Sequence, residues 1–210
     1  IEQFQKYIRY GYYPYFLENQ NLYHQKLFET IEISLSTDLP SVYDITYGSV
    51  EKMRQLLYIL AESVPFTPNI TKISERMGVT RSTLLHFLYY LEELRVIKKL
   101  YSTTKGISML QKPEKLYLHH PNYFHALSAE NINSGSIRES FFLNQVGALF
   151  PVTYAKTGDF IANKLVFETG GQNKNRKQIV GAGDKGFVVA DDLEIGYKNK
   201  IPLWMFGLLY

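Results

Sequence analysis

The stretch ITKISERMGVTRSTLLHFLYYLEELRVIKKL, residues 70–100, constrains the fold more than any other. Ile70 to Met77 has the apolar spacing of a short helix. Gly78 follows, where a helix end favours a residue free to turn left-handed. Thr80 then offers an N-cap hydroxyl, with Thr83 three residues on. Leu84, Phe87, Leu88 and Leu91 recur at helical spacing, and the second helix runs to about Arg95. Two helices around a glycine-containing turn make a helix-turn-helix. Val96 to Tyr101 and Lys115 to Leu118 alternate like strands around a Lys- and Gly-containing loop, which reads as the hairpin of a winged helix. A helical hairpin inside a bundle is the bland alternative.

Charge bears on the choice. The chain has 210 residues and a formal net charge of +3. Residues 49–120 hold 11 of the 23 basic and 6 of the 20 acidic residues, net +5. Clustered positive charge attracts phosphate without reading sequence. Arg81, Ser82 and Thr83 stand at the start of the second helix, where backbone N–H groups also face an anion. The expected contacts to double-stranded DNA are Arg81, Ser82, Thr83 and His86 from that helix, Lys72 and Arg76 from the first, and Lys105 from the wing.

The flanking segments are less distinctive. Ile1 to Ser36 reads as two helical pieces broken at Gly11 to Pro14, the second running from Tyr23 to Leu35 and ending at Asp38-Leu39-Pro40. Ser49 to Ser63 repeats apolar residues at three and four, with Ser49 as N-cap. After the loop Asn133-Ser134-Gly135, Ser136 to Leu149 is helical. Val152 to Ala155, Phe160 onward, Lys164 to Thr169 and Gly186 to Ala190 read as strands, with a helix-like segment before the last. Three units follow: a helical linker over 1–48, the winged helix-turn-helix over 49–120, and a small α/β domain over 121–210. The class is α+β.

Absences narrow the chemistry. There is no cysteine, which excludes disulfides, zinc–thiolate sites and cysteine nucleophiles. No apolar run reaches the ~18 residues of a membrane span. His119-His120 has no partner at ligand spacing and reads as structural, and no phosphate-binding loop is present. The N-terminus lacks Met and signal-peptide order, and reads as a cut inside a longer, cytoplasmic protein.

One constellation could do chemistry. Asp159 stands at a turn between two strands and Glu168 ends the next strand, so antiparallel pairing would bring their carboxylates together, with Glu139 on the preceding helix completing the set. Such carboxylates can hold Mg²⁺, which activates water against a phosphodiester. The bland reading has Asp159 capping a turn and Glu168 paired with Lys174 or Arg176.

The motifs YIRYGYYPYF, KPEKLYL, SGSIRESFF, GDF, FETGGQNKNRKQI and IPLWMFGLLY, with the helix-turn-helix between them, resemble the C-terminal region of prokaryotic AAA-type ATP-binding proteins, the DUF4143 group. The resemblance spans essentially the whole chain. It implies a preceding ATPase module that would carry ATP, with residues 1–45 as the link from it, and a restriction-endonuclease-like domain at the end. Glu139, Asp159 and Glu168 fall on the positions of the PD-(D/E)XK nuclease motif. That motif ends Glu-x-Lys, whereas this chain has Glu168-Thr169-Gly170, leaving Lys174 or Lys177 to supply a displaced ammonium. An inactive nuclease-like domain behind a DNA-binding winged helix is therefore expected. The rivals are an Mg²⁺-dependent nuclease and a protein-interaction module that forms a homo-oligomer through its Tyr-rich start and apolar end.

Overall fold

The computed structural model describes residues 1–62, 67–102, 106, 111–127 and 132–209. It is mixed α+β, with two sheets. The N-terminal half is helical: α1 (Glu2–Tyr10), α2 (Tyr15–Glu18), α3 (Tyr23–Ile33), α4 (Leu39–Val42), α5 (Tyr47–Glu62), α6 (Ile70–Arg76) and α7 (Arg81–Glu93). Strands β1 (Ile97–Leu100) and β2 (Lys115–Leu118) form an antiparallel pair, with Ile97 opposite Leu118 and Leu100 opposite Lys115. After α8 (Asn122–Ala126) and α9 (Ser134–Leu149) comes a five-stranded sheet: β3 (Val152–Tyr154), β4 (Phe160–Ala162), β5 (Leu165–Gly170), β6 (Gly186–Ala190) and β7 (Lys200–Pro202). Its spatial order follows the chain; β3, β4 and β5 are an antiparallel meander, and β6 and β7 run parallel to β5.

The local chemistry of α6, α7 and the turn between them behaves as its residues dictate. Asn69 caps α6 through Lys72 N, Gly78 sits at φ +60°, and Thr80 Oγ1 accepts from Thr83 N at 3.1 Å. Leu84, Leu88 and Leu91 are fully buried. Three expectations need correction. The cap of α5 is Thr46, whose Oγ1 accepts from Ser49 N at 3.3 Å, so the helix starts two residues before Ser49. The segment after α3 does not end at Pro40; a wide π-helical turn over Ser34–Asp38 carries it into α4. Proline is tolerated there because the first turn of α4 leaves its missing N–H without an acceptor to serve. Ile201 and Pro202, read only as an apolar tail, form an edge strand.

Among the described residues two main apolar cores result, beside a small cluster of Ile179, Val188 and Ala190. In the first, Tyr23, Leu27, Ile31, Leu35 and Leu39 form a four-residue ladder against Met53, Leu56 and Leu57 of α5, Leu84 and Leu88 of α7, and Phe124 of α8. The boundary expected at residue 48 thus falls inside one core. The second core lies between α9 and the larger sheet, around Phe141, Phe142, Phe160 and Val189, and takes in Ile8 of α1. The β1–β2 pair serves both. Ile97, Leu116 and Leu118 face the helical core, while Leu100 and Tyr117 face the other. A strand with alternate residues on opposite faces can do this only if both faces are covered. The strands of the expected wing are therefore an internal wall; the loop between them, including Lys105, lies largely outside the described residues.

Gly78→Ala tests the turn. An added Cβ would meet only Lys52 Nζ, at 4.0 Å, so the change introduces backbone strain and little steric conflict. The expected loss is ~1–2 kcal/mol, or about 2–8 °C in Tm for a chain of this size. An unchanged melting curve would contradict a left-handed residue there.

Candidate functional site

Two surfaces gather the residues singled out above. The first is the N-terminal end of α7. Arg81, Ser82, Lys72 and Arg76 are exposed, and the Arg81 guanidinium donates to Thr71 Oγ1 at 3.1 Å, tying the starts of α6 and α7 together. Thr83 is half-buried and its hydroxyl is bonded to that of Thr80 at 2.8 Å, so it serves the cap. His86 Nδ1 lies 2.8 Å from Ser82 O and must donate to it. In the neutral ring this leaves Nε2 as an acceptor. Among the described residues no carboxylate lies within ion-pair distance of Lys72, Arg76 or Arg81.

The second is an acidic cluster where β2, α9 and β5 meet. Pairing of β4 with β5 puts the Asp159 amide 2.9 Å from Phe167 O. Its Oδ2 accepts from Thr169 N at 2.8 Å and Thr169 Oγ1 at 2.9 Å. Glu139 Oε2 accepts from Tyr117 Oη at 2.7 Å and from Lys115 Nζ at 3.2 Å. The same ammonium is 3.5 Å from Asp159 Oδ1. Glu168, almost wholly buried, pairs through Oε1 with Lys174, which also donates to Gln178 Oε1 at 2.6 Å. Glu168 Oε2 is buried with no hydrogen-bond partner among the described residues.

Sequence reasoning placed Glu139, Asp159, Glu168 and Lys174 together, and they are together. Lys177 is not: it is exposed on the 3-10 segment that follows, its amide donates to Asn175 Oδ1, and among the described residues it makes no ion pair with the cluster. Lys115 and Tyr117, the partners of Glu139, were missed. The signal was available in KPEKLYL, a lysine and a tyrosine two apart in an alternating strand and hence on one face.

Burial raises the Glu139 carboxyl above its ordinary range, the charge of Asp159 adds to this, and Lys115 and Tyr117 oppose it. Burial likewise raises Glu168, opposed by Lys174. Burial pulls the Lys115 ammonium down, but the charges of Glu139 and Asp159 outweigh it and hold it above its usual value. The cluster is thus three carboxylates threaded by two ammonium groups. Among the described residues no three His, Asp or Glu side chains are arranged to hold a metal ion. As the chain is folded, the donor set expected for Mg²⁺ at Asp159 and Glu168 is built around lysines.

Two outcomes follow. Lys115→Met leaves two carboxylates without their shared cation and should cost ~3–5 kcal/mol in urea unfolding; a loss below 1 kcal/mol would show the contact to be incidental. The folded chain also keeps the Glu139 proton to higher pH than the unfolded chain does. The stability that Glu139 contributes therefore falls as pH rises from its ordinary range through its folded value. Glu139→Gln should gain on the wild type as pH rises through that window, and a pH-independent difference would refute the shift.

Comparison with known proteins overturns the resemblance drawn from the motifs. Residues 1–133 match the family described as "Domain of unknown function (DUF8612)", not DUF4143. The implied ATPase module, and the site residues carried over by that resemblance, lose their support from kinship. The chain is similar to "Uncharacterized protein MJ1637" of Methanocaldococcus jannaschii, 24% identical over 222 residues, covering 92% of this chain and 46% of that protein. The chain thus spans about half the length of this curated relative. No solved structure matches. No helix among the described residues is long and apolar enough to cross a membrane. By the match over its first 133 residues, the chain belongs to the DUF8612 family.

Proposed function

We propose that the chain binds double-stranded DNA through a winged helix-turn-helix built from α6, α7 and the β1–β2 hairpin, and that its C-terminal α/β unit, restriction-endonuclease-like in strand order, does not cut. The observation that carries the reading is the start of α7. Among the described residues Arg81 is steered by Thr71 rather than paired with an acid, and Lys72 and Arg76 stand exposed beside it. A helix start with free amide groups and unpaired cations fits a phosphate backbone, and the next turn would bring Ser82 and His86 towards base edges. The hairpin wall fixes α7 from behind, since Val96 N bonds Leu91 O and His119 N bonds Val96 O.

The lysine-filled cluster favours a structural role for the carboxylates, in which Lys115 and Tyr117 clamp the hairpin to α9. One observation favours a second reading, Mg²⁺-dependent cleavage: the unpartnered Oε2 of Glu168 is an acceptor that a cation would satisfy. Admitting a divalent ion between Glu139 and Asp159 would require Lys115 to leave.

Fluorescence anisotropy with a labelled duplex at several salt concentrations, Mg²⁺ present and the DNA analysed afterwards, separates the readings. Lys72→Ala with Arg81→Ala should weaken binding about tenfold or more and reduce the slope of log K against log salt by about 2. Equal affinity and slope would remove α7 from the interface. Cuts that vanish in Asp159→Ala would establish the second reading; intact DNA supports the first.

A further inference from the structure

A pocket on the far side of α7 from Arg81, about 20 Å away along a 13-residue helix, has chemistry that neither surface above uses. It encloses about 490 Å³ between Tyr12, the end of α7, β1 and α9. Arg95, Lys98 and His119 supply its donors. Arg95 stands at φ +54° just past α7. The Lys98 side chain lies across α9, where its ammonium reaches Leu143 O at 3.3 Å. Asn144 Nδ2 donates to His119 O at 2.9 Å and approaches His119 Nδ1 at 3.3 Å. With Nδ1 accepting, the ring proton of the neutral histidine sits on Nε2.

These cations are not matched by acids of the chain among the described residues. The carboxylate whose charge bears on Lys98 is Glu92, and Glu92 is already paired with Lys99 at 2.8 Å. Among the described residues neither Arg95 nor Lys98 has an ion-pair partner. Burial, reinforced by Arg95, holds the Lys98 ammonium below its usual value. Unpaired, partly desolvated charge is costly in a folded chain and marks a place where a ligand completes the pairing. The helix is shaped for this. A Cβ on Gly147 would come within 2.5 Å of Lys98 Nζ, so only glycine lets the ammonium lie where it does.

We propose that this pocket binds a phosphate monoester, with Lys98 and Arg95 matching its two negative charges and His119 donating from Nε2. The volume exceeds that of a bare phosphate, so the group arrives on a larger body, either a free small molecule or the phosphorylated end of a strand. Tyr12, stacked on His120 with centroids 4.1 Å apart, forms one rim of the pocket.

The test is an NMR titration of the histidine side chains with inorganic phosphate, adenosine 5′-monophosphate and adenosine, alongside 5′-phosphorylated and 5′-hydroxyl duplexes. His119 titrates at about 4 in the free chain, held down by burial and by Lys98 and Arg95. Bound dianion should move that value upward, because opposite charge favours the imidazolium. Inorganic phosphate should shift His119 and adenosine should not. Gly147→Ala, which displaces only the end of a flexible side chain, and Lys98→Met should each weaken binding at least tenfold while circular dichroism stays unchanged. Preference for the phosphorylated duplex over its hydroxyl twin, without a response to the monophosphate, assigns the source to strand ends; a response to the monophosphate assigns it to a free ligand. Adenosine binding as well as its monophosphate, unchanged affinity in both variants, or no shift of His119 with any phosphate probe at 10-fold molar excess and above would each overturn the proposal.

Discussion

Everything in the C-terminal half hangs on one strand that has no free face. Leu116 and Leu118 of β2 enter the helical core, while Lys115 and Tyr117 point the other way, to Glu139. An ionic contact at such a position does more than a surface pair could. Exposed pairs contribute little because water screens them. Here Glu139 is 7% exposed, so removing its partners would strand a charge in a poorly solvated place. The polar face of β2 thus specifies where α9 docks, and α9 in turn sets the level of β4 and β5 beneath it. Position, more than net stability, is what the buried charges supply.

The same geometry explains the acidic cluster. Three carboxylates so close would repel one another and pull protons from solution. Lys115 lowers that repulsion between Glu139 and Asp159, Thr169 engages the other oxygen of Asp159, and Lys174 covers one oxygen of Glu168. Carboxylates already held by two ammonium groups have less call for a metal than a set left open. The surface at α7 shows the opposite pattern: cations with no ion-pair partner among the described residues. The lysine and carboxylates at the junction of β2, α9 and β5 are paired with one another, whereas the cations at the start of α7 are turned to solvent.

How much of this could be read beforehand depends on range. Gly78 and Thr80 act within a turn or two, and the helices α6 and α7 that they delimit were legible, although the Asn69 cap of α6 was not singled out. So was the meander that brings Asp159 beside β5, because alternation fixes which residues face which side. Thr46 outcompeted Ser49 as a cap over a mere three residues, a choice that side-chain preference alone does not decide. Pro40 misled because a wide turn, invisible in composition, relieved the constraint proline imposes. That Lys115 and Tyr117 share a face could be read from KPEKLYL, but the partner of that face lay beyond local reasoning: Glu139 is 24 residues on from Lys115, and only the docking of two cores brings them within 3.2 Å. The motif resemblance failed for another reason. Short strings in a shared order need not indicate membership, and the matched family is a different one.

A hairpin that forms a wall for two cores also makes them mutually dependent. Neither core can lose its packing without exposing one side of Leu116, Tyr117 and Leu118 to water. The usual expectation for a chain with two hydrophobic centres is two melting steps, each centre opening by itself. A shared strand merges those steps. A disturbance introduced among the helices of the first 100 residues would reach the sheet around Phe160 and Val189 as a loss of cooperative protection, with no contact spanning the distance between them.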